Sequence, residues 1–349
     1  MKSGMKQDSA FRAMVAPLLS VVGAFLVGTV IIGLLGEDPL VAYAALINGA
    51  LGDVQALANT LQKATPYIFG GLAVMIASKC GMFNIGVEGQ MYVGAMAAAW
   101  AGFTLTYLGR GAHIIAALLI AGIAGGIWSF VPAILKVRFG VNEVIGTLML
   151  NYIAYSLTGY LTVYVFKEPG VMPQTVKIAD TAALSLLVPP SRLNTGFLIS
   201  IALVAVTYVL VYRTLWGYNL RTTGANPAAA RYSGVNVSFM RISALLVSGV
   251  LAGLMGAERS LGVYSRFISS FSPGYGFTSI AVSLLGRDNP FGILIAAIFF
   301  GILEAGGPAM SIATEVPREL LSILQAIIII FVASGAYISK MLSDRRVSV

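Results

Sequence analysis

The chain has 349 residues, 58% of them hydrophobic and 10% charged, with a mean hydropathy of +0.86. Soluble domains carry about a quarter charged residues, so a soluble enzyme or nucleic-acid binder is excluded and an all-α polytopic membrane protein is expected. The net charge of +8 then reads as Lys and Arg in cytoplasmic loops.

The N-terminus is basic (Lys2, Lys6, Arg12), and residues 14–35 are apolar. That run is too long for a signal-peptide core and predicts a retained first span. Glu37 and Asp38 follow, then a weakly amphipathic stretch, 40–51, expected at the outer interface. The second and third spans are expected at 54–77 and 83–107, the fourth at 114–135 and the fifth at 142–166. Residues 167–194 form a long mixed loop, whose Pro169, Pro173, Pro189 and Pro190 argue against a membrane helix. The sixth span is expected at 197–212. Residues 213–241 are polar, with Arg213, Arg221, Arg231 and Arg241 and no Asp or Glu. The seventh span is expected at 242–262, a short apolar run at 277–285, the ninth span at 291–307 and the tenth at 320–338.

Orientation follows from the positive-inside rule. With both termini inside, Lys79, Lys136, Arg138 and the four-arginine loop fall inside. Glu37, Asp38, the loop 167–194, Glu315 and Glu319 fall outside. This needs an even number of crossings, about ten. The eighth, 277–285, is short of the roughly 20 residues of a full span and needs a broken half from Arg266 onward. Residues 1–349 are read as one transmembrane domain, with 213–241 as a cytoplasmic loop within it. Residues 83–87 and 278–282 share I-x-V in oppositely directed spans, a hint of an inverted repeat with broken helices near the third and eighth crossings. Gly122/Gly126 and Gly249/Gly253 are spaced for close helix packing.

The stretch 79–96, K-C-G-M-F-N-I-G-V-E-G-Q-M-Y-V-G-A-M, sets Asn84, Glu88 and Gln90 among four glycines. Buried amides and a carboxylate at membrane depth are costly unless they face a cavity or a partner. Glycines there allow close packing or a helix break. Two readings stand: a packed helix with an internally satisfied Glu88, or the lining of a translocation path. Asn151 and Tyr152 lie deep in the fifth span and are further path candidates. Glu143 suits the N-terminus of that span. Glu258 and Arg259 are read as pairing or snorkelling, and His113 as interfacial.

The second informative stretch is 221–235. Asn226-Pro227 is a helix start, with Asn as cap and Pro in the first turn. Ala228 to Tyr232 continue it, and Gly234 can stop it. The resulting short helix is either a topology signal touching anionic lipid or a coupling helix that docks on an ATPase.

F-N-I-G-V-E-G-Q-M resembles the signature of ABC-importer permeases of the branched-chain amino acid/ribose/nucleoside class. The G-M-F-N-I-G-V-E-G-Q form is most similar to the nucleoside-type members. T-G-A-N-P-A-A-A-R-Y-S-G (223–234), G-V-N-E-V-I-G-T-L-M-L-N-Y (140–152) and G-F-T-S-I-A-V-S-L-L-G-R-D-N-P (276–290) are similar to the same family. The resemblance covers most of 79–301, but not the first span or the loop 167–194.

The resemblance implies a permease subunit in a bacterial plasma membrane that forms half of an import pathway. Its partners are a cytoplasmic ATPase, a second permease, making a heterodimer, and an external substrate-binding lipoprotein. It favours the coupling reading for Asn226, Pro227, Ala228, Arg231 and Tyr232. A neutral nucleoside needs amide, hydroxyl and aromatic partners. Asn84, Gln90, Asn151, Tyr152 and Ser279 offer the first two, and Phe83 and Phe277 the last. Glu88 is expected to shape the path.

A ribose-type sugar is the alternative substrate. An ion-coupled carrier with Glu88 as its proton site, and a passive channel, are the rival classes. No G-x-x-x-x-G-K-[ST] occurs, so ATP is expected to be used by a partner. One His and one Cys do not make a metal site. No G-x-S-x-G elbow occurs, so the chain is not expected to be an enzyme and no cofactor is expected.

Overall fold

The protein is described from a computed structural model covering residues 21–317, 319–320 and 322–331. The beginning of the expected first span, the end of the tenth and both termini lie outside the described residues. The described chain is helical, with only isolated antiparallel bridges such as Gln174 with Ile268. The helices are α1 (Val21–Leu34), α2 (Pro39–Leu51), α3 (Val54–Lys79), α4 (Val87–Thr104), α5 (Arg110–Phe139) and α6 (Glu143–Tyr160). They continue with α7 (Gly196–Arg213), α8 (Leu215–Ala225), α9 (Pro227–Tyr232), α10 (Val237–Glu258), α11 (Tyr275–Leu285), α12 (Pro290–Ala313) and α13 (Ser322–Phe331). Both α6 and α10 run on into a π-helical turn, Leu161–Val165 and Arg259–Val263.

Among the described residues, α5, α6, α7, α10 and α12 are long and apolar enough to cross a membrane. The bent pair α2–α3, meeting at 86°, makes a sixth if counted as one span; α1, α11 and α13 are shorter apolar helices. With the polar Glu88 and Gln90 in its first two turns, α4 is not among the five. The chain is therefore an all-helical, multi-pass membrane protein.

Among the described residues two compact units are present, one formed by those up to residue 60 together with those from 302 on, the other by 61–301. In the first, the Tyr43 hydroxyl donates to the Phe25 carbonyl at 2.8 Å, and Gly28 lies against Leu324. Gly306 packs on the Leu46 carbonyl.

The second unit is built around α10. It runs parallel to α4, with Ser248 beside Asn84 and Leu261 beside Gly102. It runs antiparallel to α5, with Gly249 on Gly125 and Gly253 on Ala121, and antiparallel to α3, where Ser248 donates to the Ala73 carbonyl at 2.6 Å. A methyl group at Gly94 would overlap Gly253, and one at Gly125 would overlap the Gly249 carbonyl. These are the close approaches that small residues allow between membrane helices, and α10 owes its central position to them.

Three local expectations change. The stretch 213–241 holds two helices before α10, because Thr214 caps α8 by accepting from the Gly217 amide at 3.1 Å; the arginine and glycines of α8 mask this in the sequence. His113, expected at the interface, is enclosed by protein. Its Nε2 lies 3.0 Å from the Ala101 carbonyl and its Nδ1 2.9 Å from the Thr181 hydroxyl. A carbonyl only accepts, so Nε2 donates to Ala101, and the Thr181 hydroxyl, which can donate or accept, holds the other side of the ring. Lastly, residues 82–84 have no regular structure while 278–282 lie inside α11, so the five-residue match aligns irregular chain with helix.

Candidate functional site

The helix α3 ends at Lys79, and Gly81 takes a left-handed φ of +72° that suits glycine. The chain then stays irregular until α4 begins at Val87. Freed backbone groups at membrane depth need partners, and the motif's own side chains supply them. Asn84 and Gln90 exchange amide hydrogen bonds at 3.0 and 3.2 Å, and Asn84 also donates to Ser248 at 2.9 Å. The Asn84 oxygen accepts from the Gly86 amide at 2.9 Å. From α6, Asn151 accepts from the Gly89 amide at 2.9 Å and donates to the Ile85 carbonyl at 3.0 Å, while Thr147 accepts from the Ile85 amide.

Glu88, fully buried, reaches the start of α11. Its carboxylate accepts from the Gly276 amide and hydrogen-bonds the Ser272 hydroxyl. The Ser272 oxygen in turn accepts from the Gly274 and Tyr275 amides, each at 3.0 Å. A side chain at Gly276 would overlap the Glu88 backbone. The carboxylate thus sits in the first turn of α4 and against that of α11, where negative charge is favoured at both helix ends.

The expected path residues therefore divide. Asn84, Glu88, Gln90 and Asn151 come together around the break, buried and bonded to one another's elements. Ser279 is also buried, donating to the Tyr275 carbonyl at 2.7 Å and packing on Gly70. Phe83, Tyr152 and Phe277 are exposed, by 39%, 59% and 41%.

A second buried node is centred on Glu258 and Arg259, and of the two sequence readings it takes the pairing one; its other partners are not legible in the sequence. Arg259 Nε lies 2.5 Å from Glu258 Oε2 with both residues 1% exposed, so the pair is internal and does not snorkel. Arg259 also donates to the Gln62 carbonyl at 3.1 Å and lies 5.6 Å from the Tyr275 ring centre. Glu258 accepts from Asn194 at 2.9 Å. Glu143 bonds Lys136 at 2.7 Å in the first turn of α6.

In the α8–α9 segment, Asn226 caps α9 by accepting from the Ala228 and Ala229 amides at 3.0 and 3.1 Å, with Pro227 in the first turn. Asn226, Ala228, Arg231 and Tyr232 are exposed, Tyr232 by 95%. A groove of about 420 Å³ beside them is lined by Leu215, Trp216, Val235 and Phe239. Gly224 packs directly on the Lys79 carbonyl, so the end of α8 touches the turn that opens the 79–96 motif. Burial pushes the Cys80 thiol up to about 12, against the pull of Arg241, which leaves it protonated and unreactive near neutral pH. Among the described residues no group of three or more His, Cys, Asp or Glu could hold a metal ion.

The family model described as branched-chain amino acid transport system / permease component matches residues 56–333. The guanosine ABC transporter permease protein NupP of Bacillus subtilis is 38% identical over 92% of this chain and 93% of its own length. The glucose ABC transporter permease protein TsgB13 of Haloferax volcanii is 34% identical over 95% and 90%, and the nucleoside ABC transporter permease protein NupB of Lactococcus lactis 33% over 95% and 93%. The same two bacteria each have a second, more distant match, NupQ at 27% and NupC at 28%. No solved structure matches the chain. A match to the family from residue 56 to 333, on an all-helical membrane chain whose signature segment is the broken start of α4, has one conclusion: the chain belongs to the family of branched-chain amino acid-type transport permeases.

Proposed function

We propose that the chain is the permease subunit of an ABC importer for nucleosides, driven by a separate cytoplasmic ATPase. The observation that carries this is the 38% identity, over nine-tenths of both chains, to a permease named for guanosine. The buried carboxylate beside the broken segment is already engaged by the start of α11. A neutral solute with aromatic and hydroxyl groups suits such a site better than a charged one. Phe83, Tyr152 and Phe277 line the path in this reading, and Asn84, Glu88, Gln90, Asn151 and Ser279 hold its shape. Glu88 is then structural, and a proton gradient imposed on vesicles holding the permease alone drives no uptake.

Ten crossings with both termini inside remain the proposed topology. Within 61–301 the contacts support alternation: α4, α6 and α10 run one way, α3, α5 and α11 the other. An inverted repeat relating α4 and α11, each starting after an irregular segment, belongs to the same reading. On this topology α9 is cytoplasmic and docks on the ATPase. A push on it passes through Gly224 to Lys79 and the broken segment. A second, different permease subunit is proposed from the paired relatives, together with an external binding lipoprotein. The topology is checked by cysteine labelling, against a background kept low by buried Cys80. Val171→Cys, at a 99% exposed position, should take an impermeant maleimide in intact cells. Ser233→Cys should label only after permeabilisation, in cells lacking the ATPase. Labelling of both from one side refutes the span count.

The glucose permease at 34% identity favours a second reading, sugar import. Cells carrying the permeases, ATPase and binding protein should take up labelled guanosine without competition from glucose; glucose uptake without guanosine uptake reverses the assignment. In the same system Arg231→Glu with Tyr232→Ala should lower ATPase co-purification and uptake several-fold while leaving the permease inserted. Unchanged co-purification and uptake remove these residues from the coupling contact.

A further inference from the structure

A row of aromatic rings runs beside the Glu88 node. Tyr152 and Tyr155 on α6 have centroids 6.3 Å apart; Tyr155 meets Tyr92 of α4 edge-on at 4.8 Å. Tyr92 lies 4.7 Å from Phe271 at a 33° tilt, and Phe271 is 6.0 Å from Tyr264. Tyr92 is 6% exposed, and its hydroxyl accepts from the Ser272 amide at 3.4 Å, which fixes the row to the residue that binds Glu88. Tyr155, Phe271 and Tyr264 are half-buried, and Tyr152 is exposed. The row therefore has a buried keystone and a partly open surface.

The open surface does not suit lipid. Tyr155 is twelve residues along α6 from Glu143, so its ring is roughly 18 Å from that end, about the centre of a bilayer core some 30 Å thick. Hydrogen bonds hold Tyr92 and Tyr264, but among the described residues the Tyr155 hydroxyl has none, and a bare hydroxyl in hydrocarbon is costly. Phe271 is on the irregular segment before α11, and irregular backbone at this depth is tolerated where protein buries it or it lines a wet cavity.

We propose that Tyr152, Tyr155, Phe271 and Tyr264, backed by Tyr92, form the surface on which the planar base of a nucleoside stacks during passage, with the Tyr155 hydroxyl as its polar contact. This rests on the nucleoside reading above. It assigns recognition to rings spread over α6, α4 and the segment before α11. The surface favours the larger purine over the pyrimidine, because stacking grows with overlapping ring area.

The test uses the whole reconstituted importer, with ATPase, second permease and binding protein, and labelled guanosine, uridine and ribose. Phe271→Leu and Tyr155→Leu should each raise KM for guanosine about tenfold, the scale of one lost base–aromatic stack. The rise should be smaller for uridine, with ATP hydrolysis stimulated by the binding protein unchanged. Phe271→Tyr should restore KM. Tyr155→Phe should keep most of the purine preference and lose only the hydroxyl's share. If the wild type carries guanosine and the leucine variants match it in KM and in purine/pyrimidine ratio, the rings face lipid or packing and the proposal is overturned alone. If the wild type carries ribose and no nucleoside, the nucleoside reading falls and this proposal with it. Variants that lose hydrolysis together with uptake, and are not restored by Phe271→Tyr, show a folding role and also overturn it.

Discussion

Glu88→Ala should lower uptake by about tenfold or more, because leaving buried donors unsatisfied costs roughly 1–3 kcal/mol each. Two donors lose their acceptor together, the Gly276 amide and the Ser272 hydroxyl. Both belong to the start of α11, where Gly276 packs directly on the Glu88 backbone. The loss should therefore appear as misplacement of α11, read by protease sensitivity of the segment 264–274, and not only as lost transport. Glu88→Gln keeps an oxygen acceptor of the same length and should retain much of the uptake. A Gln variant as inactive as the Ala variant would mean that the charge itself is required, which returns the ion-coupled reading to first place.

The sequence already carries the long apolar helices and their order. The expected spans 54–77, 142–166 and 197–212 differ from α3, α6 with its π turn, and α7 by a residue or two. Apolar runs of full length have one solution in a bilayer, so they are legible without contacts. What the polar residues of the motif do is not legible from the motif, because several of their partners lie outside it. Asn84 is satisfied by Gln90 six residues on, but also by Ser248, 164 residues away. Asn151, expected on a path, binds two backbone groups of the broken segment, Gly89 and Ile85, which lie more than sixty residues away. The glycine pairs on α5 and α10 were legible as packing, since their spacing alone defines a face. His113 reads as interfacial because one polar residue near a helix end fits an interface; its enclosure by Thr181 and Ala101 needs tertiary contacts to be seen. Apart from Tyr152, the aromatic row is not legible in the sequence, because its rings come from three separate segments and ordinary tyrosines within apolar runs carry no pattern.

Arg259→Met should destabilise the protein by about 3–5 kcal/mol, the usual cost of removing one partner of a buried ion pair. The reason is what remains. Glu258 stays 1% exposed with Asn194 as its other hydrogen-bond partner. The Gln62 carbonyl loses its guanidinium donor, and the Tyr275 ring loses its cation. The node is closely packed, with Gly196 against the Glu258 side chain and Gly262 against Asn194. Four elements meet at this point: α3, the segment before α7, the π turn after α10, and the first residue of α11. Their partners are spaced too far apart in sequence for any local motif to announce the node. Removing both charges, Glu258→Gln with Arg259→Met, should recover a large part of the loss, because an uncharged pair carries no uncompensated burial. Thermal unfolding of the detergent-purified protein measures both effects. The single variant should melt well below wild type and yield less inserted protein, with the double variant between them. A single variant as stable as wild type would show that the pair adds nothing to stability. A double variant no better than the single would assign the loss to the shape of Arg259, its packing on Tyr275 and its reach to Gln62, and not to charge.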